Sequence, residues 1–303
     1  MAQIQTPTIS AVFGPEVWQR SPREVADGLA DQMLARHWHV DDLPWSSLPL
    51  FPIPEGARET RKLVRFYKSV IAVSTRAEEI AVSIARRLLI HANEEKFDVS
   101  FRRALSALLN DEASHVATML KMETSASAAF PDIPPRPGES PLFKALMPAI
   151  ETLEPAVLAI FMSSYEASVA IRSYSEQQTY EMPSILATMG LHAAEDDGRH
   201  AKILRIIAGE FLQIFKTRFG DDGSGESTEW RNRIIEPFWS FWSLMPAHEY
   251  FLAGNDPRQR THVHGLVMHD VEIMNKILHF LELSPGAQKA MRVGTIADMI
   301  PET

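Results

Sequence analysis

The sequence predicts an all-α protein whose core is a bundle of long helices. Three observations lead to that fold class. Apolar residues recur three and four apart through long stretches free of proline, credible alternating strand patterns are few, and the prolines gather mainly between the helical stretches. With 303 residues and 45% hydrophobic content the chain can bury a sizeable core. No solenoid period and no low-complexity tract interrupts it, so residues 1–303 read as a single domain.

Each element follows in order. Ser21-Pro22 opens a short helix ending near His37. Pro44, Pro49, Pro52 and Pro54 then forbid regular structure, so residues 1–55 read as an irregular, proline-rich arm wrapped on a body. From Gly56 to about Glu94, Phe66, Val70, Val73, Ala77, Ile80, Ile84 and Leu88 recur at helical spacing and predict one long helix. Asp98 or Ser100 caps a second helix reaching Lys121, with Leu105, Leu108, Leu109, Val116 and Met119 on its apolar stripe. Five prolines between Phe130 and Pro141 make an extended crossover. A helix restarts at Ser140-Pro141, Pro155 separates it from another running from Ala156 to Gln178, and Pro183-Ser184 opens a long helix to about Lys216. Residues 56–217 therefore form the bundle core. After a glycine-rich link, Gly220 to Ser227, residues 228–303 hold an aromatic stretch around Trp230, Phe238, Trp239, Phe241 and Trp242, then a helix from Asp256-Pro257 to about Leu283.

Composition removes several function classes. Lys and Arg number 30 against 39 Asp and Glu, a net charge of −9 that argues against nucleic acid as a partner. Without cysteine there are no disulfides, thiol nucleophiles, zinc fingers or cysteine-bound iron–sulfur clusters, so any metal must use His, Asp and Glu. Met1 to Gly14 lacks a basic stretch followed by an apolar run, and no apolar stretch approaches about 18 residues, so a cytoplasmic protein that does not enter a membrane is expected. No phosphate-binding loop, nucleophile elbow or dinucleotide fingerprint is visible.

Two short stretches resemble each other: Asp111-Glu112-Ala113-Ser114-His115 and Asp196-Asp197-Gly198-Arg199-His200. Each is acid, acid, two residues, histidine, and a carboxylate and a histidine three apart on a helix can grip one ion. Chance supplies roughly one or two acid-x-x-His pairs in such a composition, but requiring a second acid in front reduces that to roughly 0.2. Glu112 and His115 share a face with Leu105, Leu108 and Met119, and His200 shares one with Ile203, Leu204 and Ile207. Unpaired carboxylates in an apolar stripe are costly. The two other long helices each carry one misplaced acid: Glu78 beside Ile71, Ala81 and Ala85, and Glu166 beside Met162, Val169 and Ala170. Glu79, the rival of Glu78, lies on a solvent-like face with Arg76, Ser83 and Arg86, and of Glu195, Asp196 and Asp197 only Asp197 stands three before His200.

Four carboxylates and two histidines are the inventory of a ferritin-like dimetal site, in which two helices give one Glu each and two give Glu-x-x-His pairs. Oxygen-rich ligation with two imidazoles suits iron, with manganese as a substitute, better than zinc or copper. Asp111 and Asp196 are placed to hold the far nitrogens of the ligand histidines. Small residues (Ala77, Ala81, Ala113, Ala170 and Ala193) leave room around the ions. His192 joins the set as a seventh ligand if a one-residue π-bulge before Asp197 rotates it inward. The other histidines, His37 and His39 among them, have no ligand spacing and read as surface or ordinary core residues.

Over roughly residues 60 to 210 the chain resembles the p-aminobenzoate N-oxygenase (AurF-like) family of non-haem diiron enzymes, in the ordered series Ala77-Glu78-Glu79-Ile80, Asp111-Glu112-Ala113-Ser114-His115, Glu166, and Leu191-His192 followed by Asp197-Gly198-Arg199-His200. Two departures stand out: Asp197 replaces the family's glutamate, and His192 stands five rather than four residues before it. The resemblance implies a diiron site that activates dioxygen and oxidises a small-molecule amine, free or carrier-tethered, to hydroxylamine, nitroso or nitro product in secondary-metabolite biosynthesis. Electrons then come from an external donor. A homodimer is expected from the aromatic-rich flank. Competing expectations are another ferritin-like diiron oxidase, a hydroxylase or desaturase; a non-enzymatic iron-binding protein; and a metal-free helical interaction protein.

Overall fold

The computed structural model describes residues 21–177, 183–221, 227–253 and 275; the expected helix from residue 256 to 283, with His264 and His269, lies outside them apart from that one position. Among the described residues every regular element is helical. The first helix, α1 (Pro22–Arg36), opens on a reciprocal cap. The Ser21 amide donates to Glu24 Oε2 at 2.8 Å and the Glu24 amide donates to Ser21 Oγ at 3.3 Å. Four long helices follow: α2 (Thr60–Glu94), α3 (Val99–Ala129), α5 (Pro155–Gln177) and α6 (Ile185–Phe219), with the short α4 (Pro141–Ala149) in the crossover between α3 and α5. The closing elements are α7 (Thr228–Trp230), a π-helical turn Arg231–Ile235, α8 (Glu236–Trp242) and α9 (Met245–Ala253).

Short links make α2–α3 and α5–α6 two antiparallel hairpins, each packed along its length, and lighter α2–α5 and α3–α6 contacts close them into a four-helix bundle. α3 runs eight residues beyond the expected Lys121, because Met122 and Ala126 bury against the arm and Pro131 is the first residue that stops it. Between α2 and α3 the chain reverses at Lys96, whose φ of 56° is left-handed, and the Phe97 amide donates back to the Ala92 carbonyl at 2.9 Å. That conformation costs a non-glycine residue roughly 1–2 kcal/mol. Lys96→Gly is therefore expected to stabilise the fold by up to about 1 kcal/mol after glycine's unfolded-state entropy is subtracted. A urea midpoint that stays put or falls goes against this.

The core divides into two apolar clusters along the bundle. One, rich in Ile84, Leu88, Leu105, Leu108, Leu158 and Leu204, takes in α1, α4 and the closing helices. Trp230, Phe238 and Trp242 are buried inside it, and Trp239 packs half-buried against it. The other cluster joins Ile71, Met119, Met122, Met189 and Ala193 to Trp38, Leu43 and Phe51 of the arm. The arm is also tied by its backbone: the first-turn amides of Ile185 and Leu186 donate to the carbonyls of Pro49 and Leu50 at 2.9 and 3.2 Å, and so meet partners that the start of a helix otherwise lacks. No helix of the described residues is long and apolar enough to cross a membrane.

Candidate metal centre

Between the two apolar clusters the bundle carries a layer of charge. On α2, Glu78 falls between Ile71 of one cluster and Ile80 of the other; on α3, Glu112 and His115 fall between Leu108 and Met119; on α6, Asp197 and His200 fall between Ala193 and Leu204. Glu166 enters from α5 next to Met162 and Ala167. Glu112, Glu166 and Asp197 are buried and Glu78 half-buried, because the apolar residues on either side of each along the same stripe are locked into the core.

Two groups of donors result, Glu78, Glu112 and His115, and Glu112, Glu166 and His200, each with its ligand atoms within 4.8 Å of one another. Glu112 belongs to both. His115 Nδ1 lies 3.4 Å from Glu78 and 3.7 Å from Glu112; His200 Nδ1 lies 2.8 Å from Glu112 and 3.8 Å from Glu166. Yet both Glu112 oxygens and both of these Nδ1 atoms are buried without an aligned hydrogen-bond partner. Four orphans aimed at one another are expensive in a packed protein, and cations between them remove the cost.

The opposite edges of the imidazoles are held crosswise. His200 Nε2 on α6 donates to Asp111 Oδ2 on α3 at 3.3 Å, and His115 Nε2 on α3 donates to Asp196 Oδ2 on α6 at 3.2 Å. A proton fixed on Nε2 leaves Nδ1 to face the carboxylates as a metal donor. Behind these acids stands a second row that spacing gave no sign of. His37 Nδ1 donates to Asp111 Oδ1 at 2.7 Å, Trp38 Nε1 donates to Asp196 Oδ2 at 2.7 Å, and Arg199 closes on Asp196 Oδ1. One dipeptide at the end of α1 thus braces both outer acids. The contacts cross 74 and 158 residues of sequence, too far for any periodicity to register.

Asp197 and His192 depart from the expected set. Asp197 is buried, but its short side chain stays outside both donor groups; burial and then the neighbouring Glu166 push its carboxyl well above the usual range. His192 is exposed, its ring against Trp38 at 5.5 Å, and α6 is α-helical throughout, without the π-bulge that a seventh ligand requires. Among the described residues a π turn occurs instead at Arg231–Ile235. Of the small residues, Ala81, Ala170 and Ala193 are buried and Ala77 half-buried, whereas Ala113 faces outward. Glu79 pairs with Arg76 at 2.8 Å on the outer face of α2.

Electrostatics follow from this packing. Burial pushes Glu78 from 4.5 up to about 7 despite His115 beside it. Burial and then Glu112 raise Glu166. For Glu112 burial acts upward, but His200 and His115 outweigh it and hold the carboxyl well below its ordinary value. Burial also opposes the charged forms of His115 and His200, but Asp196 and Glu112 respectively lead the acids that raise both imidazoles well above 6.5. Asp196, against burial, is drawn down to about 2 by His115, His200 and Arg199. In the metal-free protein Glu78, Glu166 and Asp197 are therefore held toward their neutral forms and both imidazoles toward their charged forms, and a cation entering between them has those protons to displace.

A pH dependence follows. Glu78 and both histidines have raised folded values, so their contribution to metal-free stability is full below 4.5 and 6.5 respectively and is lost as pH rises through the folded values, about 7 for Glu78. Asp196 is the reverse: its contribution is present above 3.8 and lost as pH falls toward about 2. The metal-free protein is expected to melt highest in mildly acid solution, whereas metal uptake releases these protons and tightens as pH rises. Calorimetry in buffers of different ionisation enthalpy counts the protons; uptake without proton release contradicts the expectation.

Comparison of the chain with family models, with curated proteins and with solved structures finds no match.

Proposed function

We propose that this centre binds two iron ions within a ferritin-like bundle and that the protein is a dioxygen-dependent oxygenase acting on an amine nitrogen. The observation that carries the reading is Glu112, shared between two Glu/His groups, with both of its oxygens and both facing imidazole nitrogens buried and unaligned with any partner. Bound there, an iron pair supplies the reduction of dioxygen and the transfer of oxygen to substrate; manganese suits the same donors. The chain supplies the rest. Glu112 spans the two positions, His115 and His200 present Nδ1 because Asp196 and Asp111 occupy Nε2, and the apolar clusters on either side exclude water. Glu78, 17% exposed where Glu112 is at 1%, marks the edge by which oxygen and a small amine reach the centre. Nitrogen rather than carbon is favoured by the order of Glu78, Glu112 and His115, Glu166, Asp197 and His200, which is similar to the AurF-like series.

Anaerobic loading with ferrous iron, exposure to oxygen and mass spectrometry of a panel of aryl and aliphatic amines tests this. Expected are two irons per chain, an absorbance band that develops with oxygen, and a mass gain of oxygen on nitrogen. Oxygenated carbon instead makes it a hydroxylase. Iron uptake with no oxidised organic product leaves an iron-binding protein, and colourless, metal-free protein from iron-supplemented cells defeats the metal centre altogether.

A further inference from the structure

On the Asp196 side of His115, away from Glu78, a ring contact adds something beyond the bracing of that acid. Trp38 lies flat on His115, ring centroids 5.5 Å apart and planes 27° from parallel, and its Nε1 shares Asp196 Oδ2 with the Nε2 of that histidine. Its other neighbour is the exposed ring of His192, 5.5 Å away. Solvent, His192, Trp38, Asp196 and His115 therefore form an unbroken series of π systems and hydrogen bonds ending at a metal donor. Trp38 itself is 8% exposed, close enough to the surface to meet a carrier and buried enough to hold one geometry. His115 turns Nδ1 toward Glu78 and Glu112 and Nε2 toward Asp196, so this series reaches the centre from the side opposite the Glu78 edge.

We propose that His192 and Trp38 form the port through which an external one-electron donor reduces the centre, the path continuing through the Trp38 indole and the Asp196–His115 link. It rests on the reading that the centre holds iron. Each transfer takes one electron from the reduced carrier and converts one ferric ion to ferrous, and two transfers restore the ferrous pair. No bond in the chain forms or breaks, and Trp38 and Asp196 keep their protonation; they are positioning residues that supply a fixed path. Separating the two edges keeps the reductant away from the amine and the oxygen.

The test follows reduction rather than turnover. Protein loaded with iron and oxidised in air is mixed anaerobically with a chemically reduced iron–sulfur protein, a donor too large to pass the Glu78 edge, and bleaching of the ferric absorbance is timed. Trp38→Leu is expected to slow bleaching by an order of magnitude per bound iron, the comparison being made at equal iron content because the lost Nε1 bond to Asp196 also weakens uptake. Trp38→Phe, which keeps a ring against His115 but loses the Nε1 bond, falls between. His192→Ala keeps both irons, since it is no ligand, and also slows reduction. Trp45→Phe, which loses the bond from Trp45 Nε1 to the Val40 carbonyl and loosens the arm without touching either outer acid, keeps the wild-type rate. Wild-type bleaching in Trp38→Leu, or equal slowing in Trp45→Phe, overturns the port; if Trp38→Leu loses iron, Trp38→Phe decides by the same rate. Wild-type protein that takes up no iron overturns the metal centre and the port together, whereas loaded protein indifferent to Trp38 overturns the port alone.

Discussion

Glu112→Gln is expected to lose both metal ions. Glu112 is the one carboxylate common to the two donor groups, and it is wholly buried with neither oxygen aligned to a partner. Glutamine keeps the volume and removes the charge and one oxygen donor, so neither ion retains its shared ligand. Glu78→Gln and Glu166→Gln touch one group each and are expected to leave one ion bound. The thermodynamic signature is large. At free metal about a thousandfold above Kd, the wild-type protein gains about 4 kcal/mol against unfolding, and Glu112→Gln should gain close to none. Metal analysis after desalting, with far-ultraviolet dichroism to show that the bundle is intact, gives the answer; two ions retained by a folded Glu112→Gln protein would refute the shared-ligand assignment.

Asp111→Asn and Asp196→Asn are expected to weaken metal binding by about 10–100-fold each, and to do so at different ions. The cross-bracing predicts the split. Asp111 orients His200, the donor grouped with Glu112 and Glu166, while Asp196 orients His115, the donor grouped with Glu78 and Glu112. The amide keeps the shape and an accepting oxygen but gives up the charge that favours Nε2–H and strengthens Nδ1 as a ligand. Asp196→Asn carries the larger loss, because Arg199 and Trp38 also lean on that carboxylate. A stepwise calorimetric titration separates the two ions. Weakening of the same ion by both variants, or of neither, sinks the crosswise arrangement.

Glu112, His115 and His200 could be picked out in the sequence because a spacing of three within one helix needs no knowledge of the fold. Glu78 and Glu166 were legible for a different reason: each is a charge set in an apolar stripe, and burial of the stripe brings the charge with it. His192 shows where such reading stops. Five residues of α-helix turn a side chain about 140° from Asp197, and only a bulge brings it back. Local sequence does not announce whether the bulge forms; α6, packed along α5, is α-helical from Ile185 to Phe219. His37 reads from the sequence as an ordinary residue and nothing along the chain singles out Trp38, although together they brace both outer acids.

The sequence by itself determined the helices, their caps at Ser21, Asp98 and Ser184, the proline-marked crossover and the acids that must lie inward, because hydrogen bonding within a helix and the period of its apolar face are local properties. The tertiary structure alone decided that Glu112 serves two groups, that each histidine is oriented from the opposing helix, and that the arm is the brace behind both. Those are contacts between segments up to 158 residues apart, fixed by how four rods and a strap fill one volume, and no pattern along a single rod encodes them.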